Sequence, residues 1–157
     1  MPIWLLRHAE AVAEELHLSD EGRYLTERGR ADALALGRTM ARLGIAPSAV
    51  VASPLVRAVQ TAELVAASAC PHVSVEILEA LAPGRMSGRA LALVAERDGA
   101  LFVGHEPSIS ALTAALIESR GFPAFEKAQL VLVEGRAARW RLLPGDDEVR
   151  RYEALSP

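Results

Sequence analysis

Three short apolar runs, at residues 3–6, 49–52 and 100–104, each stop abruptly and are followed at once by a polar or cationic side chain. The first ends in Arg7-His8, the second leads through Ser53-Pro54 to Arg57, and the third meets His105. Each run is too short for a helix and carries no polar position, as in a strand covered on both faces. A helical pattern follows two of them closely. Serine with Pro54 reads as an N-cap and first helical residue for a helix through Thr61, Leu64 and Val65 to about Ser68. Pro107-Ser108 starts another through Leu112 and Leu116. After the first run, residues 9–25 read as an acidic loop in which Asp20 and Arg23 stand out. Thr26 then caps a helix carrying Leu34, Leu36, Met40 and Leu43 that Gly44 ends.

The remaining pieces fit the same alternation. Residues 73–77 have strand-like spacing, 78–84 form a loop ending in Pro83-Gly84, and 88–97 make a short amphipathic helix. Residues 129–133 and 137–142 flank Glu134-Gly135-Arg136 as a hairpin. Strands alternating with helices predict an α/β fold, a three-layer sandwich on a mostly parallel sheet, to which the hairpin adds an antiparallel strand. We expect one domain over 1–157, with 145–157 a loose charged tail.

Composition narrows the function. In this 157-residue chain, 51% apolar residues exclude disorder, and aromatics at only 4% leave little to stack on bases. The 17 basic residues are offset by 20 acidic ones, and Arg136, Arg139, Arg141, Arg150 and Arg151 are interspersed with acids. We therefore expect no nucleic-acid partner. No stretch approaches the ~18 apolar residues of a membrane helix, and Cys70 has no cysteine to pair with. The expectation is a cytoplasmic protein with no membrane partner. His17 and His72 stand alone, and neither His8-x-Glu10 nor His105-Glu106 has the spacing of a metal site.

If the three strands are parallel, Arg7, His8, Arg57 and His105 converge at one sheet edge, where open α/β sheets bind ligands. Guanidinium groups match phosphoryl oxygens and a neutral imidazole can attack phosphorus. Two helix N-termini at the same edge favour a dianion such as a phosphate ion.

These residues lie in Leu5-Leu6-Arg7-His8-Ala9-Glu10, Leu25-Thr26-x-x-Gly29, Ser53-Pro54-x-x-Arg57-Ala58-x-Gln60-Thr61 and Val103-Gly104-His105-Glu106-Pro107. In that order they resemble the histidine phosphatase superfamily, which includes the phosphoglycerate mutases. The short length, and Asp20 and Arg23 before Leu25-Thr26, resemble its SixA-type phosphohistidine phosphatases. Ala9 stands where glycine is commonest in that family, and Glu106 where asparagine is frequent. The resemblance implies a phosphoglycerate mutase-like fold and His8 as nucleophile through a phosphohistidine intermediate. It also implies Arg7, Arg57 and His105 as phosphoryl ligands, joined by Arg23, with no metal and no cofactor. Family members acting on esters use a glutamate as acid, and Glu79 is the candidate. The expected substrate is a phosphohistidine-bearing protein. The alternatives are a small phosphate ester, with Glu79 as acid, and a non-catalytic module that binds phosphate or a phosphoprotein.

Overall fold

Strand β1, Pro2–Arg7, sits at the heart of a twisted sheet because its side chains alternate between two apolar layers. Leu6 faces one cluster with Val50, Ala52, Leu101 and Val103, whereas Leu5 faces the other with Val51 and Phe102. The computed structural model describes residues 2–15 and 18–153. His17 lies outside them.

Among the described residues the chain continues as α1 (Glu27–Arg42), β2 (Ala49–Ala52), α2 (Val56–Ala69), β3 (Val75–Ile77), α3 (Gly88–Ala95), β4 (Ala100–Gly104) and α4 (Ser108–Leu116). Strands β5 (Leu130–Glu134), β6 (Ala137–Leu142) and β7 (Arg150–Arg151) complete it. The sheet order is β3-β2-β4-β1-β5-β6-β7. The first four strands in that order are parallel and the last three join by antiparallel pairings. Ala33, Leu36 and Met40 of α1 and Ala58, Ala62 and Val65 of α2 cover one face. Val94 of α3, Ile109 and Leu112 of α4 and Phe125 cover the other. All five residues of β4 are buried, which accounts for its unbroken apolar run. Each large side chain so enclosed, such as Phe102, contributes about 1.5–3 kcal/mol. This is the expected three-layer, phosphoglycerate mutase-like sandwich.

Two glycines let α1 approach its neighbours. A Cβ on Gly29 would overlap the Glu10 carbonyl, and one on Gly37 would lie 2.6 Å from the Val65 carbonyl oxygen on α2. Thr26 caps α1, its hydroxyl accepting from the Gly29 N–H at 3.0 Å.

The loop between β1 and α1 is closed at its base. The Thr26 N–H donates to the Glu10 carbonyl and the Val12 N–H to the Tyr24 carbonyl. The Thr26 hydroxyl reaches the Glu10 carboxylate at 2.9 Å, and the Gln60 side chain accepts from the Leu25 N–H.

Several local expectations need correction. Ser53 is not the cap of α2; the helix starts at Val56, because the Ser53 N–H still bonds the Val103 carbonyl as a continuation of the sheet. Strand β3 is shorter than 73–77 because the Val73 N–H turns back to Cys70, and residues 79–81 form a 3-10 turn. Within 145–157, Arg150 and Arg151 pair with β6, and the Asp147 carbonyl accepts from Arg42. Residues 154–157 lie outside the described residues. In the hairpin, Gly135 and Arg136 both take positive φ, the backbone of a primed two-residue turn. The arginines of this region meet acids: Arg136 with Glu118 at 3.1 Å and Arg150 with Asp146 at 3.2 Å. Among the described residues no helix is long and apolar enough to cross a membrane.

Candidate active site

The carboxyl ends of β1 and β4 lie side by side, with Arg7 opposite Gly104. The next residues are His8 and His105, and their ring centroids are 5.1 Å apart. His8 is pinned along its backbone: its N–H donates to the Gly104 carbonyl and its carbonyl accepts from Ala128. Its ring Nδ1 lies 2.7 Å from the Ala9 carbonyl, which can only accept. Nδ1 therefore carries the proton and Nε2 keeps a lone pair. Burial, opposed by the Ala9 bond and reinforced by Arg57, Arg7 and Arg23, pushes the His8 pKa down to about 4. The imidazole is a neutral base at working pH.

His105 is also buried and neutral. Burial lowers its pKa to about 3, helped by the charges of His8, Arg57 and Arg7 against the opposing Asp20. Its Nε2 is 2.7 Å from the Ser53 hydroxyl, and its Nδ1 is buried with no hydrogen-bond partner among the described residues.

Two guanidinium groups complete the cluster. Arg57, in the first turn of α2, is 5% exposed. It donates from Nη1 to the Asp20 carbonyl at 2.7 Å and from Nη2 to the Asp20 carboxylate at 3.3 Å. Arg7 donates from Nη1 to the Phe125 carbonyl at 2.7 Å. The Nε of each is buried without a partner among the described residues. Cations with buried donors to spare suit an oxyanion. Arg23 borders the cluster, donating to Asp20 at 2.9 Å and to the Val12 carbonyl. The Arg23 hydrogen bond, with lesser help from Arg57, holds the Asp20 carboxyl below the usual carboxylate range.

A second tier supports these groups. The Thr61 hydroxyl accepts from the Ala9 N–H and donates to the Arg57 carbonyl, linking the segment after His8 to the arginine helix. Glu106 accepts from the Phe125 N–H at 3.0 Å and from Ser110. It thereby fixes the carbonyl that holds Arg7.

The structure thus brings Arg7, His8, Arg57 and His105 together, with Arg23 at the rim. Glu79 is apart. It is exposed on its 3-10 turn, and the cleft beside His105 is lined instead by Ala80, Leu81, Ala82, Arg85 and Met86 on that side. Sequence reasoning missed the contact of Ser53 with His105, because Ser-Pro ahead of a helix also fits a cap. Among the described residues no group of three potential ligands could hold a metal ion.

Residues 3–100 match the model of the histidine phosphatase superfamily, branch 1. An uncharacterized protein of Picosynechococcus is 30% identical over 122 residues, covering 74% of this chain and 73% of its own. The mitochondrial serine/threonine-protein phosphatase Pgam5 of Drosophila persimilis is 41% identical over 63 residues, 40% of this chain and 21% of that protein. Among solved structures, the protein histidine phosphatase SixA complexed with tungstate superposes with a TM-score of 0.82 at 24% identity. The match covers 92% of this chain and 97% of that one. A chain from Agrobacterium tumefaciens assigned to phosphohistidine phosphatase SixA gives 0.79 at 25% identity, over 91% and 97%. With its four motifs, its sheet order and this family match in agreement, the chain belongs to branch 1 of the histidine phosphatase superfamily and has the SixA-type fold.

Proposed function

We propose that this phosphatase removes the phosphoryl group from phosphohistidine in a protein, with His8 as nucleophile. The observation that carries the reading is the Ala9 carbonyl on His8 Nδ1, which leaves Nε2 as an unprotonated base beside the buried Arg57 and the half-buried Arg7. Nε2 attacks phosphorus, a new N–P bond forms, and the bond to the substrate's imidazole breaks with its electron pair passing to that nitrogen. Water then attacks the phosphoryl group on His8, releasing inorganic phosphate and returning the lone pair to Nε2. Arg7, Arg57 and His105 hold the phosphoryl oxygens while charge builds on them. A tungstate ion, a phosphate-like oxyanion, occupies the structurally similar SixA, which supports an oxyanion pocket here.

The leaving group favours phosphohistidine. An imidazole whose other nitrogen carries a proton departs neutral and needs no acid, whereas an alkoxide needs one. Asp20, held ionised by Arg23 and Arg57, is a poor proton donor. Three exposed apolar side chains stand next to site residues. Tyr24 adjoins Arg23, Val56 adjoins Arg57, and Ile77 pairs with Ala52 ahead of Ser53.

The test is phosphate release from a phosphohistidine-bearing protein and from p-nitrophenyl phosphate, using wild type, His8→Ala and Glu79→Gln. Release from the phosphoprotein that is lost in His8→Ala and kept in Glu79→Gln is the expected result. Ester cleavage lost in Glu79→Gln moves the substrate to small phosphate esters. Phosphate binding with no His8-dependent release from either substrate points to a non-catalytic module.

A further inference from the structure

The hydroxyl of Ser53 is fully buried, and two contacts define it. It accepts from the Leu55 N–H at 3.3 Å and lies 2.7 Å from His105 Nε2. Ser53 is itself fixed by its backbone, whose N–H continues the ladder to the Val103 carbonyl one strand away. Among the described residues, the hydroxyl proton has one acceptor in reach, and that is Nε2 of His105.

Were Nε2 protonated, it and the hydroxyl would each present a proton to the other, and the buried hydroxyl proton would lack a partner. The cationic ring is excluded as well, by burial beside Arg57 and Arg7. One arrangement satisfies every group. Ser53 donates to Nε2, and the ring proton sits on Nδ1, the nitrogen that has no partner and remains for a ligand.

We infer that Ser53 is a positioning residue that locks neutral His105 in its Nδ1–H tautomer, so that Nδ1 donates to the phosphoryl oxygen during transfer. Free imidazole side chains in water prefer the proton on Nε2, so the serine selects the less common form. The hydrogen bond to the oxygen is then ready before substrate arrives, with no proton to move at the moment of reaction. The kinetic part of this inference rests on the phosphatase reading above; the tautomer does not.

The experiment is nitrogen-15 NMR of the ligand-free protein with labelled histidine, on wild type, Ser53→Ala and Ser53→Thr, alongside kcat and KM for the phosphohistidine protein. The wild type is expected to show an unprotonated Nε2 and a protonated Nδ1 on His105. Ser53→Ala moves the proton wholly or partly to Nε2 and lowers kcat about 10- to 100-fold, with KM within about threefold of wild type. Ser53→Thr, which keeps the hydroxyl, restores the tautomer and most of kcat. A protonated Nε2 in wild type, or a ring spectrum unchanged in Ser53→Ala, overturns the inference whether or not the protein proves to be a phosphatase. A shifted tautomer with unchanged kcat overturns the catalytic half of it. If neither the phosphohistidine protein nor p-nitrophenyl phosphate is turned over by the wild type, the phosphatase reading fails and the wild-type ring spectrum still decides the tautomer.

Discussion

Arg57 and Asp20 are joined twice, Nη1 to the carbonyl at 2.7 Å and Nη2 to the carboxylate at 3.3 Å. A loop carboxylate thus shares the guanidinium proposed to hold the phosphoryl group. Asp20→Asn keeps the backbone contact and removes the competing charge. Inorganic phosphate is expected to inhibit that variant about threefold more strongly, the scale of a partly exposed ion pair, with the gain shrinking as salt is added. Inhibition constants at two ionic strengths measure it. Weaker phosphate binding would mean that Asp20 serves to hold Arg57 in place.

The two histidines make stability depend on pH in a defined direction. An unfolded imidazole titrates near 6.5, whereas folded His8 titrates at about 4. Between those values the unfolded chain binds a proton that the folded chain does not, so stability falls as pH drops from 6.5 towards 4. His8 alone accounts for about 3 kcal/mol of that loss if the whole shift is realised. His105, lowered to about 3, acts in the same sense over a slightly wider window. Urea midpoints at neutral pH and near pH 4.5 should show a smaller acid loss in His8→Asn than in wild type. Equal losses would refute the depressed pKa.

Glycines at two helix positions should behave oppositely. Gly37→Ala brings a methyl group to 2.6 Å from the Val65 carbonyl oxygen, and α1 and α2 must separate to accept it. A loss of about 1–3 kcal/mol is expected. Gly88→Ala at the start of α3 meets nothing within 4 Å and should gain about 0.5 kcal/mol. Thermal unfolding of both variants distinguishes a packing contact from a general helix preference.

Glu106 acts on Arg7 through Phe125. The carboxylate accepts from the Phe125 N–H, and the Phe125 carbonyl accepts from Arg7. Glu106→Ala frees that segment, so KM should rise several-fold and stability fall by about 1–3 kcal/mol. Glu106→Gln, which retains an acceptor oxygen, should recover most of both. Steady-state kinetics with a denaturant titration of each variant checks this.

What could be read from the residues follows from where water is. Strands β1, β2 and β4 are covered on both faces, so their apolar runs were plain, and His8, Arg57 and His105 were placed by counting from the strand ends. Thr26 was legible as a cap because its hydroxyl does what an N-cap hydroxyl does, accepting from the Gly29 N–H. Ser53 was not, since its hydroxyl answers a histidine 52 positions later and its backbone stays in the sheet. Strand β7 was invisible because Arg150 and Arg151 are exposed on an edge, where the pairing is purely backbone. Glu79 shows the other limit. A carboxylate beyond a strand end can be located by sequence, but whether it enters the cleft depends on the path of the 3-10 turn that carries it.

The closed base of the loop between β1 and α1 separates two kinds of change. Because Glu10 and Val12 are tied to Thr26 and Tyr24, the chain between them leaves and returns at a fixed gate. Changes within it leave the backbone of His8 alone and reach the arginine helix through the bonds of Asp20 to Arg57. A substitution in such a segment retunes the charge around Arg57 while the strand ends that carry His8 and His105 stay where they are.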